Sequence, residues 1–280
     1  MTLSLTGVDF TYGAGTAFAT RALSDVDITF SPGEVVLVLG ATGSGKSTLL
    51  RIAAGLLVPD TGSVTLDGRA VRGPLAVVRP GVGIVFQSPE MQLFAESVAA
   101  DVAFGPRNQG LSEEDAIVEA RRALDAVGLD PEEFGPRSPF SLSGGEARRA
   151  AIAGVLAMAP GYLMLDEPTA GLDPSGRESV RDIVTAARES AGVVVVTHDA
   201  EEFLGHADRV VLLSEGRIIF DERTEVLVQD PGRFTEAGLR APEVLRAQML
   251  AQDAGVALPR FALDPTEVAS LLAEAWSGPR

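Results

Sequence analysis

Gly40, Ala41, Thr42, Gly43, Ser44, Gly45, Lys46 and Ser47, followed by Thr48, spell G-x-x-x-x-G-K-S between an apolar run and a helix-like pattern. Glycines in such a loop let backbone N–H groups turn onto phosphate oxygens, and the helix start adds a dipole that favours an anion. Lys46 is therefore expected to bind the β- and γ-phosphates of a nucleotide, and Ser47 to ligate Mg2+. Composition singles out the same residue: Lys46 is the only lysine among 23 basic side chains. Arginine cannot replace a compact ammonium where space is tight. A second apolar run, YLML, ends in Asp166 and Glu167. An acid at the C-terminal end of a parallel strand lies where open α/β sheets bind ligands. Asp166 can serve the Mg2+ shell, and Glu167 can orient or deprotonate an attacking water. Ser143, Gly144 and Gly145, inside LSGGE, present a hydroxyl and two glycines at the start of another helical pattern.

These residues need strands to carry them and helices to follow. Val35–Leu39 and residues 192–196 read as buried strands, far short of the roughly 20 apolar residues that span a bilayer. Residues 3–66 alternate and turn like a β-rich subdomain that contains the phosphate loop. Residues of about 88–158 interrupt the α/β pattern with helices, one capped by Ser112 with acids in its first turn. Strands and helices then alternate again, and residues 217–231 close the unit as a hairpin and short helix. Residues 1–230 are thus one expected unit and 231–280 an extension. In the extension Val244, Leu245, Gln248, Met249, Val268, Leu271 and Leu272 fall at helical spacing, as two short helices whose apolar stripes either pack on the core or form a second dimer contact. The chain has no cysteine, no basic-then-apolar leader and a net charge of -16, which together point to a cytoplasmic location and away from nucleic acid.

With LSGG, the sequence resembles the nucleotide-binding subunits of ABC transporters over roughly residues 3–225. The resemblance implies an α/β fold of the P-loop NTPase type: a RecA-like core, an antiparallel β-subdomain and an inserted helical subdomain, here with a small C-terminal helical extension. It implies ATP and Mg2+ as the bound groups, and a head-to-tail dimer in which Ser143, Gly144 and Gly145 complete the site of a second ATPase subunit, identical or homologous. Tyr12 resembles the aromatic that stacks on adenine. Gln87, after GVGIVF, resembles the glutamine that senses Mg2+ and the attacking water. Asp173 resembles the aspartate of the loop crossing the dimer interface, and His198, after VVVVT, the histidine that contacts the γ-phosphate. Glu146 departs from the family, where glutamine is usual; His206 reads as structural.

Residues 87–106, QSPEMQLFAESVAADVAFGP, resemble a narrower group, the energy-coupling-factor ATPases that power uptake of vitamins and of nickel or cobalt ions. The matching positions include Gln87, Pro89, Gln92, Leu93, Phe94, Val98, Asp101 and the run from Val102 to Pro106. That resemblance implies peripheral attachment at the cytoplasmic face of the membrane, with a transmembrane coupling subunit and a membrane substrate-binding subunit as partners. On it, Glu90, Glu96 and Asp101 are expected to form an acidic rim for the scaffold's arginines, with Leu93 and Phe94 as apolar docking residues. An ATPase of a conventional ABC importer shares every nucleotide motif and differs chiefly at residues 87–106 and the tail. A soluble ABC protein acting on ribosomes or DNA would bring a second cassette, a coiled-coil insertion or a basic surface, none of which is visible.

Overall fold

The computed structural model describes residues 2–71 and 81–277. Its strands are β1 (Leu3–Tyr12), β2 (Thr20–Phe30), β3 (Val35–Leu39), β4 (Thr61–Leu66), β5 (Arg69–Ala70), β6 (Val82–Val85), β7 (Tyr162–Asp166), β8 (Gly192–Thr197), β9 (Arg209–Ser214) and β10 (Arg217–Arg223). Helix α1 (Lys46–Ala53) follows β3. Between β6 and β7 stand α2 (Val98–Val102), α3 (Phe104–Asn108), α4 (Glu113–Ala126), α5 (Pro131–Phe134) and α6 (Gly144–Leu156). α7 (Pro174–Ala187) joins β7 to β8, and α8 (Thr224–Gln229), α9 (Gly232–Glu236), α10 (Glu243–Asp253) and α11 (Pro265–Ser277) come after β10.

The strands sort into two sheets. An antiparallel sheet has the order β2-β1-β4-β5, and a second sheet runs β10-β9-β3-β8-β7-β6. In the second, β9 through β6 are parallel and β10 is an antiparallel edge. β3 corrects the expectation that the phosphate loop belongs to the β-rich subdomain of residues 3–66, because β3 pairs with β8 and β9. Its five apolar residues are all buried, the mark of a strand covered on both faces, whereas β1 and β2 alternate.

Side chains of the parallel strands divide strictly by parity between two cores. Leu37, Leu39, Leu163, Leu165, Val193 and Val195 face the helices, while Val36, Val38, Met164, Val194 and Val196 face α1 and the antiparallel sheet. The extension is anchored to the helical side: Leu245 and Phe261 enter that core, and Ala262, Val268 and Leu271 form a small core of their own. Burying a leucine such as Leu245 in this way contributes about 2 kcal/mol. Ser112 accepts from the Asp115 N–H and caps α4, as its position before three acids suggests. Among the described residues no helix is long and apolar enough to cross a membrane.

Candidate functional site

Four neighbouring parallel strands end together. The registers Leu39↔Thr197, Asp166↔Val196 and Val85↔Leu165 bring the C-terminal ends of β3, β8, β7 and β6 to one edge of the sheet. The loop after β3 is folded tightly. A Cβ at Gly40 would lie 2.3 Å from the Leu213 carbonyl oxygen, and one at Gly45 would lie 2.4 Å from that of Ala22, so neither position admits a side chain. Gly45, at φ 105°, is the N-cap of α1 and offers no side-chain cap. The first N–H groups of α1 are thereby left for an external acceptor. Serine and aspartate caps close α4, α6 and α7 instead.

Lys46 Nζ donates to the carbonyl oxygens of Gly40 at 2.7 Å and Ala41 at 3.0 Å. Burial pushes its pKa down, against the attraction of Glu167 and Asp166. Ser47 Oγ donates to Asp166 Oδ1 at 3.1 Å. Burial raises the Asp166 pKa, an effect opposed by that hydrogen bond. The buried Ser44 hydroxyl has no hydrogen-bond partner among the described residues. Ser47 and Asp166 would hold a Mg2+ ion at this corner, where a hydroxyl and a carboxylate, the hard oxygen donors that suit it, are already adjacent. Among the described residues no cluster of three or more histidines or acids could hold a metal by itself.

Glu167 follows Asp166 in the left-handed region, at φ 49°, with its N–H donating to the Val196 carbonyl at 2.8 Å. That turn swings its carboxylate to the end of β8. There Thr197 Oγ1 donates to Oε2 at 2.9 Å, the His198 N–H donates to Oε1 at 3.1 Å, and His198 Nδ1 lies 2.8 Å from the same oxygen. Thr197 is 1% exposed and also accepts from the Asp199 N–H at 3.1 Å. Tyr12 is 40% exposed, packs edge-on against Phe10 and has its hydroxyl 3.2 Å from Thr48 Oγ1. Thr42 and Gly43 are exposed at the loop's crest.

Other expected residues stand elsewhere. Ser143 caps α6, accepting from the Glu146 N–H at 3.4 Å while the Glu146 carboxylate accepts from the Ser143 N–H at 2.7 Å. The glutamate that departs from the family pattern thus closes a capping box, and these hydrogen bonds hold its pKa below the usual value. Asp173 caps α7 by accepting from Gly176 N–H at 2.8 Å. Ser143, Gly144 and Asp173 are exposed, and none of their hydrogen bonds among the described residues reaches the phosphate loop. The Gln87 side chain is also exposed; its carbonyl accepts from Arg148. Gln87, Gly144, Arg148 and Leu172 share a cleft of about 390 Å³.

A larger groove of about 1000 Å³ lies between the parallel sheet and the helices, lined by Leu56, Ile84, Phe94, Asp101, Phe104 and Met158 among others. The expected docking residues are only partly those of the structure. Glu90 pairs with Arg148 at 3.3 Å, and Asp101 Oδ2 accepts from the N–H groups of Phe94 at 2.8 Å and Ala95 at 2.7 Å, so both carboxylates serve their own chain. Leu93 is buried at 9% exposure. Glu96, Met91, Phe94 and Phe104 are exposed, and Phe94 and Phe104 stack edge to face at 4.9 Å. Thr197 and Arg148 are the site residues that sequence reading missed.

A family model described as ABC transporter matches residues 23–170. The chain is 42% identical over 281 aligned residues to the energy-coupling factor transporter ATP-binding protein EcfA2 of Lactiplantibacillus plantarum, covering 98% of this chain and 95% of that one. It is 43% identical over 257 residues to the EcfA2 of Listeria monocytogenes serovar 1/2a, covering 89% of each. Among solved structures, cbiO1 from Clostridium perfringens, part of the ABC transporter complex cbiONQ, superposes with a TM-score of 0.72 at 32% identity, covering 88% of this chain and 98% of that one. A dimeric ATP-binding cassette in a post-hydrolysis state with ADP and Pi gives a TM-score of 0.71 at 29% identity, with coverage of 79% and 98%.

Proposed function

We propose that this chain, which belongs to the ABC transporter family and within it to the energy-coupling factor ATP-binding proteins, hydrolyses ATP to drive import. The observation that carries the reading is the set of strand ends: a caged ammonium, an adjacent hydroxyl and carboxylate, and a second carboxylate pinned by Thr197 and His198.

Each group has one task. Lys46 exchanges its two carbonyl partners for β- and γ-phosphate oxygens, and the uncapped start of α1 supplies N–H donors. Ser47 and Asp166 hold Mg2+, which when bound neutralises charge on the phosphates. Glu167 orients the attacking water and takes its proton, with Gln87 reaching in from β6. Tyr12 stacks on adenine. The cassette of residues 1–230, with its helical subdomain at about 88–158, pairs head to tail with a second ATPase subunit, identical or homologous. Ser143, Gly144 and Gly145 then complete the partner's site, and Asp173 crosses the interface. The exposure of Ser143, Gly144 and Asp173 in the single chain supports this role. ATP favours the closed dimer because only that state adds the opposing signature residues.

The groove beside Phe94 and Phe104 receives a transmembrane coupling subunit, which brings along a membrane protein that binds the vitamin or transition-metal ion. The chain itself sits peripherally on the cytoplasmic face. The test is recovery of tagged Glu167→Gln from native membranes with ATP, followed by mass spectrometry of every co-purifying chain. A small helical scaffold with an integral substrate-binding protein is expected. A conventional permease with an extracytoplasmic binding protein would reassign the chain to ordinary importers, and soluble partners alone would overturn the transport reading.

A further inference from the structure

Arg148 lies on α6, two residues beyond Glu146, and is 4% exposed. Its guanidinium divides between two loops. Nη1 donates to the carbonyl oxygens of Pro168 at 3.0 Å and Ala170 at 2.7 Å, immediately after Glu167. Nη2 donates to the Gln87 carbonyl at 3.4 Å and to Glu90 Oε2 at 3.3 Å, in the segment that leaves β6 toward the groove. Nε is buried without a partner among the described residues. The guanidinium is a planar fork of fixed angles, so it cannot follow one loop without displacing its bonds to the other. Among the described residues Glu90 is the one carboxylate paired with this buried cation, and withdrawing it leaves a charge in a poorly solvated place. The Glu90 segment, Pro89–Gln92, adjoins Leu93 and Phe94 on the groove wall.

We propose that Arg148 is a positioning residue that ties the groove to the base: a partner seated against Pro89–Gln92 shifts Gln87 and Glu90, and Arg148 carries the shift to Pro168 and Ala170, and so to Glu167. This rests on Glu167 as base and on the groove as the partner's seat. A chain of hydrogen bonds becomes a coupling only when the energies of its members are interdependent. Glu90 must therefore act through Arg148 rather than beside it.

A double-mutant cycle decides this. Arg148→Lys, Glu90→Gln and the double variant are made in the full chain and assayed for ATP turnover within the membrane complex that co-purifies with it. Arg148→Lys keeps the charge but cannot bridge both loops; Glu90→Gln keeps shape and length. Each single variant is expected to lower kcat about tenfold with KM for ATP within about twofold, because misplacement of a base costs rate rather than binding. The double variant is expected to fall no further than the worse single one. A double variant near a hundredfold down would mean independent roles and would overturn the proposal, as would native kcat in Arg148→Lys. If Arg148→Lys binds no ATP, Glu90→Gln decides alone, and native kcat there overturns the link. Glu167→Gln run alongside keeps the failures apart: retained turnover sinks the base, whereas a dead Glu167→Gln with a multiplicative cycle sinks only the Arg148 link. If native chain brings down no membrane partner, the transport reading fails and the link to the groove fails with it.

Discussion

His198 Nδ1 lies 2.8 Å from Glu167 Oε1, and the backbone N–H of the same histidine donates to that oxygen at 3.1 Å. The ring is 61% exposed, whereas the carboxylate is 15% exposed. A carboxylate oxygen accepts, so Nδ1 is held by Oε1 and cannot at the same time reach a phosphate oxygen. On the proposed reading, a His198 ring that turned to a γ-phosphate would leave the backbone N–H as the Oε1 donor and open room beside it for the attacking water.

Glu167→Gln is expected to cut ATP turnover by on the order of a hundredfold or more, the range for loss of a positioned base, while ATP binding persists. The neutral amide keeps the side chain's shape, so the variant should accumulate as an ATP-bound dimer. Phosphate release together with size-exclusion chromatography in ATP checks both points. Turnover near the native rate would remove Glu167 from the role.

Ser47→Ala removes one of the two groups that meet at 3.1 Å beside Lys46. The Mg2+ concentration for half-maximal turnover should rise about tenfold, as for loss of a group that orients or supplies a ligand, with little change in the maximal rate. A Mg2+ titration at saturating ATP measures it. An unchanged midpoint would place the ion elsewhere.

Much of this site is legible before folding because its determinants are local. The glycine spacing around Lys46, the acids after β7 and the helix starts at Ser112 and Ser143 are all contained in windows of a few residues. What escaped was long-range or parity-dependent. Arg148 reaches acceptors 58 and 61 residues away in sequence, and Thr197 reaches one 30 away. Glu90 and Asp101 read as rim acids for a partner's arginines, since nothing adjacent in sequence announces a buried guanidinium or a pair of loop N–H groups as their partners. Leu93 and Phe94 are neighbours of similar polarity, yet after the turn at Pro89–Gln92 Leu93 enters the core and Phe94 stays exposed. β3 lies in the parallel sheet rather than with the β-rich stretch of residues 3–66, and its lack of alternation is the local mark of that placement.

Gln248→Leu should destabilise the extension by about 2–4 kcal/mol, the cost of leaving two buried backbone groups without partners. Gln248, 0% exposed, donates to the Ala262 carbonyl at 2.8 Å and accepts from its N–H at 2.9 Å, joining α10 to the chain before α11. Gln229 does the same for Phe261. Hydrogen exchange at Ala262, faster in the variant by a factor matching that energy, is the measurement; native protection would show that the hydrogen bonds are dispensable.

Glu146→Ala should cost about 0.5 kcal/mol at neutral pH by opening the capping box of α6. Its folded pKa is depressed below 4.5, with the Ser143 N–H as the leading cause. A depressed carboxylate stabilises above its unfolded value, and the effect is lost as pH falls through the folded one. The native and variant melting temperatures should therefore differ at pH 7 and converge as pH drops well below 4.5. A gap that persists in acid would mean that the side chain acts by packing instead.

Phe94→Ala and Glu96→Lys separate the two halves of the proposed docking surface. Phe94 is 59% exposed and stacks on Phe104 at the groove, so its loss removes an apolar anchor without touching the core. Interface anchors of this kind typically cost 2 kcal/mol or more on truncation, about thirtyfold in affinity. Glu96 is exposed, and a rim charge acts mainly on the rate and salt dependence of association. Phe94→Ala should thus release the membrane scaffold at any ionic strength, whereas Glu96→Lys should weaken assembly chiefly at low salt. Both should bind ATP within about twofold of native, since neither contacts the strand ends where Lys46 and Asp166 lie. Co-purification from membranes across a salt series, read beside nucleotide binding, gives the answer. Native assembly of both variants would move the partner away from this groove, and loss of ATP binding would mean that the two surfaces are one.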